Sequence, residues 1–255
     1  MTGPPSAALL LVSARFIMHW KRSYLGHAIS TALLLAAATL AGCAAPAVHP
    51  TDPVAAADWH AVALPGKRPT EYLNERKDGR DAVAARADRS ASMWRRQVAR
   101  ASDALGQVEF SWWVQALPTD ADVAQAELAD APARVMFAFA GDTSRLSARN
   151  QMLFDLARAL TGEPPPYATL VYVWDAKAPV GSVIVHPRTD RIRKIVVESG
   201  SSGLRKWRNY RRDLAADFRL AFGEVPGALQ AMALMTDGDN TQSRLATWYG
   251  DIVLD

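Results

Sequence analysis

The chain has 255 residues, 49% hydrophobic and 22% charged, which is a globular composition and excludes a disordered or collagen-like protein. Its 29 Lys+Arg against 26 Asp+Glu give a net charge of +3, but Arg15, Lys21 and Arg22 all fall in the first 42 positions, which hold no acid. The body is therefore electroneutral and offers no basis for a nucleic-acid partner, and a single cysteine excludes an intrachain disulfide framework and a multi-cysteine zinc site.

Met18-His19-Trp20-Lys21-Arg22, the apolar run Ala28 to Leu40 and then Leu40-Ala41-Gly42-Cys43 read as a secretory signal over residues 1–42, with Met18 a candidate true start. The apolar run is 13 residues long, short of the roughly 20 that a spanning helix needs. Leu-Ala-Gly-Cys resembles a bacterial lipobox, which implies that Cys43 becomes the acylated first residue and the membrane contact. An ordinary cleavage site beside a small buried cysteine is the alternative. Ala44 stands where an inner-membrane retention signal would place Asp, so the expected address is the periplasmic face of the outer membrane.

Residues 43–69 are rich in Ala and Pro and read as the lipidated N-terminus and a tether, with Trp59 its only large side chain expected to dock on the domain. A single domain is expected over residues 70–255. Short β-like runs bounded by turn residues recur at 82–87, 91–98, 108–114, 133–140, 169–174, 192–198, 229–235 and 251–254. In the third, Val108, Phe110, Trp112 and Val114 alternate with Glu109, Ser111, Trp113 and Gln115, which points Trp112 inward and Trp113 outward. The fourth is apolar on both faces, as expected of a central strand. Two helices interrupt the strands: Ser144 to Leu160, with Leu146, Leu153, Leu156 and Leu160 expected to face the core, and Arg208 to Phe222, with Leu214, Phe218 and Phe222 at helical spacing. The pattern predicts a mainly β fold, a jelly-roll type β-sandwich with two inserted helices.

Catalytic signatures are sparse. No Gly-x-Ser-x-Gly is present, and His49, His60 and His186 are too scattered for a triad or a His-based metal site. Glu198-Ser199-Gly200-Ser201-Ser202-Gly203 lacks a phosphate-loop ending and reads as a flexible loop. Thr236-Asp237-Gly238-Asp239-Asn240-Thr241 is the densest polar cluster. An Asx-rich turn is its first reading, with Ca²⁺ held by Asp237 and Asp239, or ligand contact that includes Asn240, as alternatives. No other cofactor is expected.

Exposed tryptophan beside acids suits a sugar surface, because the face of a pyranose stacks on an indole while its hydroxyls bond to carboxylates. Trp113, Trp174 and Trp207 with Asp175, Glu198, Asp237, Asp239 and Asn240 are the candidates. Two carboxylates among Asp175, Glu198, Asp237, Asp239 and Asp251 would be needed for glycoside cleavage. The leading expectation is a non-catalytic module for a glycan or another envelope component. A scaffold for envelope proteins and a glycan-cleaving enzyme are the alternatives.

Six motifs in order carry a family resemblance: Ser90-Ala91-Ser92-Met93-Trp94, Phe110-Ser111-Trp112-Trp113-Val114, Ala129-Asp130-Ala131-Pro132-Ala133-Arg134-Val135, Val171-Tyr172-Val173-Trp174-Asp175, Phe222-Gly223-Glu224-Val225-Pro226, and Met235 to Thr241 with Tyr249-Gly250-Asp251-Ile252. From about Thr70 to Leu254 the chain resembles the bacterial family catalogued as domain of unknown function 3047. Ala129 stands where an adjacent acid pair is expected, and Gly238 where Thr is more usual. The closing Tyr249-Gly250-Asp251-Ile252-Val253-Leu254 is similar, more weakly, to the last strand of galactose-binding-like jelly rolls, commonly carbohydrate-binding modules.

Overall fold

The computed structural model describes residues 59–255; the signal, Cys43 and most of the tether lie outside the described residues. Thirteen strands and two helices follow in chain order: β1 (His60–Ala63), β2 (Glu71–Lys77), β3 (Arg80–Asp88), β4 (Ser92–Arg100), β5 (Gln107–Val114), β6 (Ala131–Phe139), α1 (Ala148–Thr161), β7 (Ala168–Asp175), β8 (Val183–Val185), β9 (Ile192–Ser199), β10 (Trp207–Asp213), α2 (Leu214–Phe222), β11 (Leu229–Asp237), β12 (Arg244–Tyr249) and β13 (Val253–Leu254). They form a two-sheet β-sandwich. One sheet runs β1-β4-β11-β6-β7-β9-β8 and the other β10-β5-β12-β3-β2, with β13 paired to β5. All pairings are antiparallel except β7 with β9, whose crossover carries the β8 hairpin arm.

Alternation decides what fills the space between the sheets. Phe110, Trp112 and Val114 of β5 meet Val135, Phe137 and Phe139 of β6 and Tyr172 and Trp174 of β7, all buried. Phe110 stacks on Tyr172 with centroids 5.3 Å apart, and Trp112 lies 6.3 Å from Trp174. Trp59 packs on this core, as expected of the tether's one large side chain.

Helix α2 is capped by Asp213, whose side chain accepts from the Ala216 N–H, and ends on Gly223 in the left-handed region. Leu214, Phe218 and Phe222 are buried, and Phe218 meets Phe139 at 4.8 Å.

Four expectations need correction. Arg208–Asp213 is strand β10 and not the first turns of a helix, because pairing with β5 satisfies its backbone and Asp213 then starts α2. The first helix begins at Ala148, after a short 3₁₀ turn at Thr143–Arg145; Leu146, ahead of it, is buried in the core as expected, but the stripe on the helix itself does not follow, since Leu156 and Leu160 are 54% and 62% exposed and Asn150 is its buried residue. His60–Ala63 belongs to the sheet through β4, so the domain begins before residue 70. The 200–203 segment folds back instead of hanging free. Gly200 donates to the Asp175 carbonyl at 3.0 Å, the Trp174 indole donates to the Gly200 carbonyl at 2.9 Å, and Gly203 is buried. No helix among the described residues is long and apolar enough to cross a membrane.

Candidate functional site

The outer face of the seven-stranded sheet is a trough of about 670 Å³, within the size range of small-molecule sites. Its floor follows from register. Arg95 on β4 pairs with Ala233 on β11, Ala233 with Met136 on β6, Met136 with Val171 on β7, and Val171 with Lys194 on β9. One row therefore crosses five strands, roughly 19 Å at the usual strand spacing, with a cation at each end and apolar side chains between. The neighbouring row runs Gln97, Ala231, Ala138, Thr169 and Ile192. Alanines where a sheet usually carries larger side chains leave the depression open. The Pro164-Pro165-Pro166-Tyr167 segment walls one side, and the turns at Ala126–Ala129 and Asp237–Asn240 another.

Arg134 anchors the polar end. Its Nη1 donates to the Asp237 carboxylate at 2.5 Å and its Nη2 to the Ala129 carbonyl, while its buried Nε meets no acceptor. Asp237 also accepts from the Ala131 N–H at 2.8 Å. Burial pushes its carboxyl above the usual range, against the pull of Arg134. Tyr249 on the facing sheet closes this region from beneath, donating to the Met235 carbonyl at 2.7 Å and sharing a 2.8 Å hydrogen bond with Thr236.

Lys194 is 3% exposed; its Nζ donates to the Val123 carbonyl and makes no ion pair among the described residues. Burial, with Arg134 adding repulsion, brings its ammonium down to about 7. His186 is lowered to about 4, by burial first and then by the charges of Lys194, Arg134 and Arg188. Its Nδ1 accepts from the Arg188 N–H, so the ring is neutral at pH 7 with its proton on Nε2. At the opposite end Arg95 is paired to Glu163 at 3.1 Å, again with a buried Nε lacking an acceptor.

Of the residues singled out from sequence, Asp237, Asp239 and Asn240 line this trough. Asp130, Asp237 and Asp239 present carboxylate oxygens within 4.8 Å of one another. Each is already engaged: Asp237 by Arg134, Asp239 by Lys67, and Asp130 by the N–H groups of Asn240 and Thr241 and the Thr241 hydroxyl. A calcium ion, which takes six to eight oxygens, would have to displace two protein cations here. Residues 238–242 form a turn that Asp130 ties down.

The remaining candidates lie elsewhere. Trp174 is fully buried in the core, so it offers no stacking face to solvent. Asp175 accepts from the N–H groups of Val123, Lys177 and Ala178 and fixes the turn after β7. Glu198 is held by Arg208 at 2.8 Å and the Tyr210 hydroxyl at 2.7 Å. Trp113 does point away from the core, in register with Trp207 and Trp248 across the other sheet, but it is 7% exposed. Lys77 covers it, with Nζ 3.7 Å from the ring centroid, and the Trp207 indole donates to the Lys77 carbonyl at 3.1 Å. Arg80 lies over Trp207, 5.0 Å from its centroid.

Arg134, Lys194 and Arg95 were missed because charged residues in β-like runs ordinarily read as the solvated face. The available signal was the second apolar face of 133–140, Met136 and Ala138, which forms the trough floor.

No curated protein matches the chain. Among solved structures it is similar to the xyloglucanase domain of NopAA, a type three effector from Sinorhizobium fredii in complex with cellobiose: 6% identity, 77% of this chain and 97% of that chain covered, TM-score 0.39. The model of the family described as protein of unknown function (DUF3047) matches residues 57–253, and the chain belongs to that family.

Proposed function

We propose that this domain is a non-catalytic binding module that holds an envelope-derived molecule in the trough of its seven-stranded sheet, delivered to the periplasmic face of the outer membrane by acylation at Cys43. One observation carries the reading: a row of small and apolar side chains, Ala233, Met136 and Val171, crosses the centre of a sheet face between two cations and lines the floor of the trough. The lining holds no serine or cysteine, and His186 spends its acceptor nitrogen on a backbone N–H, so no serine–histidine or cysteine–histidine pair is formed there.

The test is recovery of a bound molecule. The full chain, expressed with its leader and purified from envelopes without detergent exchange, should release a small molecule on denaturation, and Ala233→Trp, which fills the floor, should carry none. Equal recovery from both proteins contradicts the trough as the site.

A glycan surface on the other sheet is the second reading, favoured by the register of Trp207, Trp113 and Trp248. It requires Lys77 and Arg80 to swing off the indoles.

A further inference from the structure

The trough also carries information about the chemistry of its occupant. Its central floor is Ala233, Ala231, Ala138, Met136 and Val171, side chains with no hydrogen-bond donor and no acceptor stronger than the Met136 thioether. Sugar hydroxyls laid there would lose water without gaining partners, whereas a hydrocarbon is stabilised by the same contact. Met136, with Met93 and Met235 beside it, adapts readily to an unbranched chain.

The ends differ. Arg95 is neutralised by Glu163, but Lys194 is almost fully buried and spends one of its three donors on the Val123 carbonyl. The charges that act on it are Arg134 and its partner Asp237, then Asp175 and Asp122, with the neutral His186 also close enough to feel its charge. A buried ammonium with spare donors and no ion pair is a receptor for an anionic oxygen.

Resting on the binding reading above, we propose that the trough takes a single-chain amphiphile with one acidic head group, the head received by Lys194 beside Arg134 and the hydrocarbon lying along Val171, Met136 and Ala233 toward Arg95. A free carboxylic acid and a lipid phosphate share this chemistry.

Isothermal titration of the full chain, below micellar concentrations, tests it with dodecanoate, lauroyl lysophosphatidylglycerol, dodecyl maltoside and cellohexaose. The acidic probes should bind at least about tenfold more tightly than dodecyl maltoside, and Lys194→Met should weaken them about tenfold or more while leaving dodecyl maltoside unchanged. If that variant fails to fold, Lys194→Arg, which keeps the charge, should retain acid binding. Dodecanoate binding alone assigns a free acid, and binding of both acids assigns a head group tolerant of phosphate; either supports the proposal. Equal binding of acidic and neutral amphiphiles overturns the acidic head while the trough stands. Binding of cellohexaose alone, lost in Ala233→Trp, overturns the amphiphile and leaves the binding module. Failure of every probe overturns the amphiphile proposal, and recovery of a trough-dependent molecule from envelopes then judges the broader reading separately.

Discussion

Arg134 and Asp237 form an ion pair of 2.5 Å between the adjacent strands β6 and β11, with 9% and 7% of their side chains exposed. Their separation in sequence is 103 residues, so the contact exists only in the assembled sheet. Removing the charge of one partner strands the other in a poorly solvated place. Asp237→Asn keeps an acceptor for the Ala131 N–H and should destabilise the domain by about 3–5 kcal/mol in urea unfolding. Arg134→Met combined with Asp237→Leu should cost clearly less than the sum of the two single changes. Additive costs would show that the two side chains do not act as a pair.

Lys194 gives stability a pH signature. An ammonium ordinarily near 10.5 is brought to about 7 in the fold. Between these values the unfolded chain binds more protons than the folded one, so stability rises with pH across that window, by up to about 1.4 kcal/mol per unit. Subtracting the Lys194→Met curve from the wild-type curve isolates this slope. A flat difference between about pH 7 and pH 10 would mean that the folded ammonium titrates where a solvated one does.

On the two helices, equal-looking apolar stripes should behave oppositely. Met152, Leu156 and Leu160 of α1 are 63%, 54% and 62% exposed, and each change to Gln should shift stability by no more than about 0.5 kcal/mol. Phe218 of α2 is 1% exposed, and Phe218→Ala should cost about 3–5 kcal/mol. Thermal or chemical denaturation separates the two classes directly.

Calcium should leave the melting temperature unchanged at concentrations that saturate extracellular modules, because Arg134 and Lys67 already neutralise Asp237 and Asp239. A rise in melting temperature that saturates with Ca²⁺ and disappears in Asp130→Asn would show that the ion displaces both cations.

Much of the sandwich was legible in the sequence because alternation is a local signal: Phe110 and Trp112, or Val135 and Phe137, declare an inner face within five residues. β10 was misread because Arg208 to Asp213 is mostly polar, and its strand state comes from pairing with β5. The α1 stripe shows the opposite failure, since helical spacing of leucines reveals an apolar face but not whether anything covers it. The polar cluster at 237–241 was visible as composition. Its partners Arg134, Lys67 and Asp130 are distant in sequence, so neither the ion pairs nor the trough beside them had a local signature. Trp174 drew attention as an aromatic next to an acid, a pattern that a core indole ending a strand produces equally well.

Of the methionines that line the trough, Met93, Met136 and Met235 serve as reporters, and Met152 on α1 lies on a surface that takes no part in binding. With ¹³C-methyl-methionine labelling, adding detergent-free extract of bacterial envelopes should shift the methyl signals of Met93, Met136 and Met235 and leave exposed Met152 on α1 in place. Shifts confined to the indole N–H signals of Trp207 and Trp248, with the three trough methyls unmoved, would place the ligand on the opposite sheet and contradict the account.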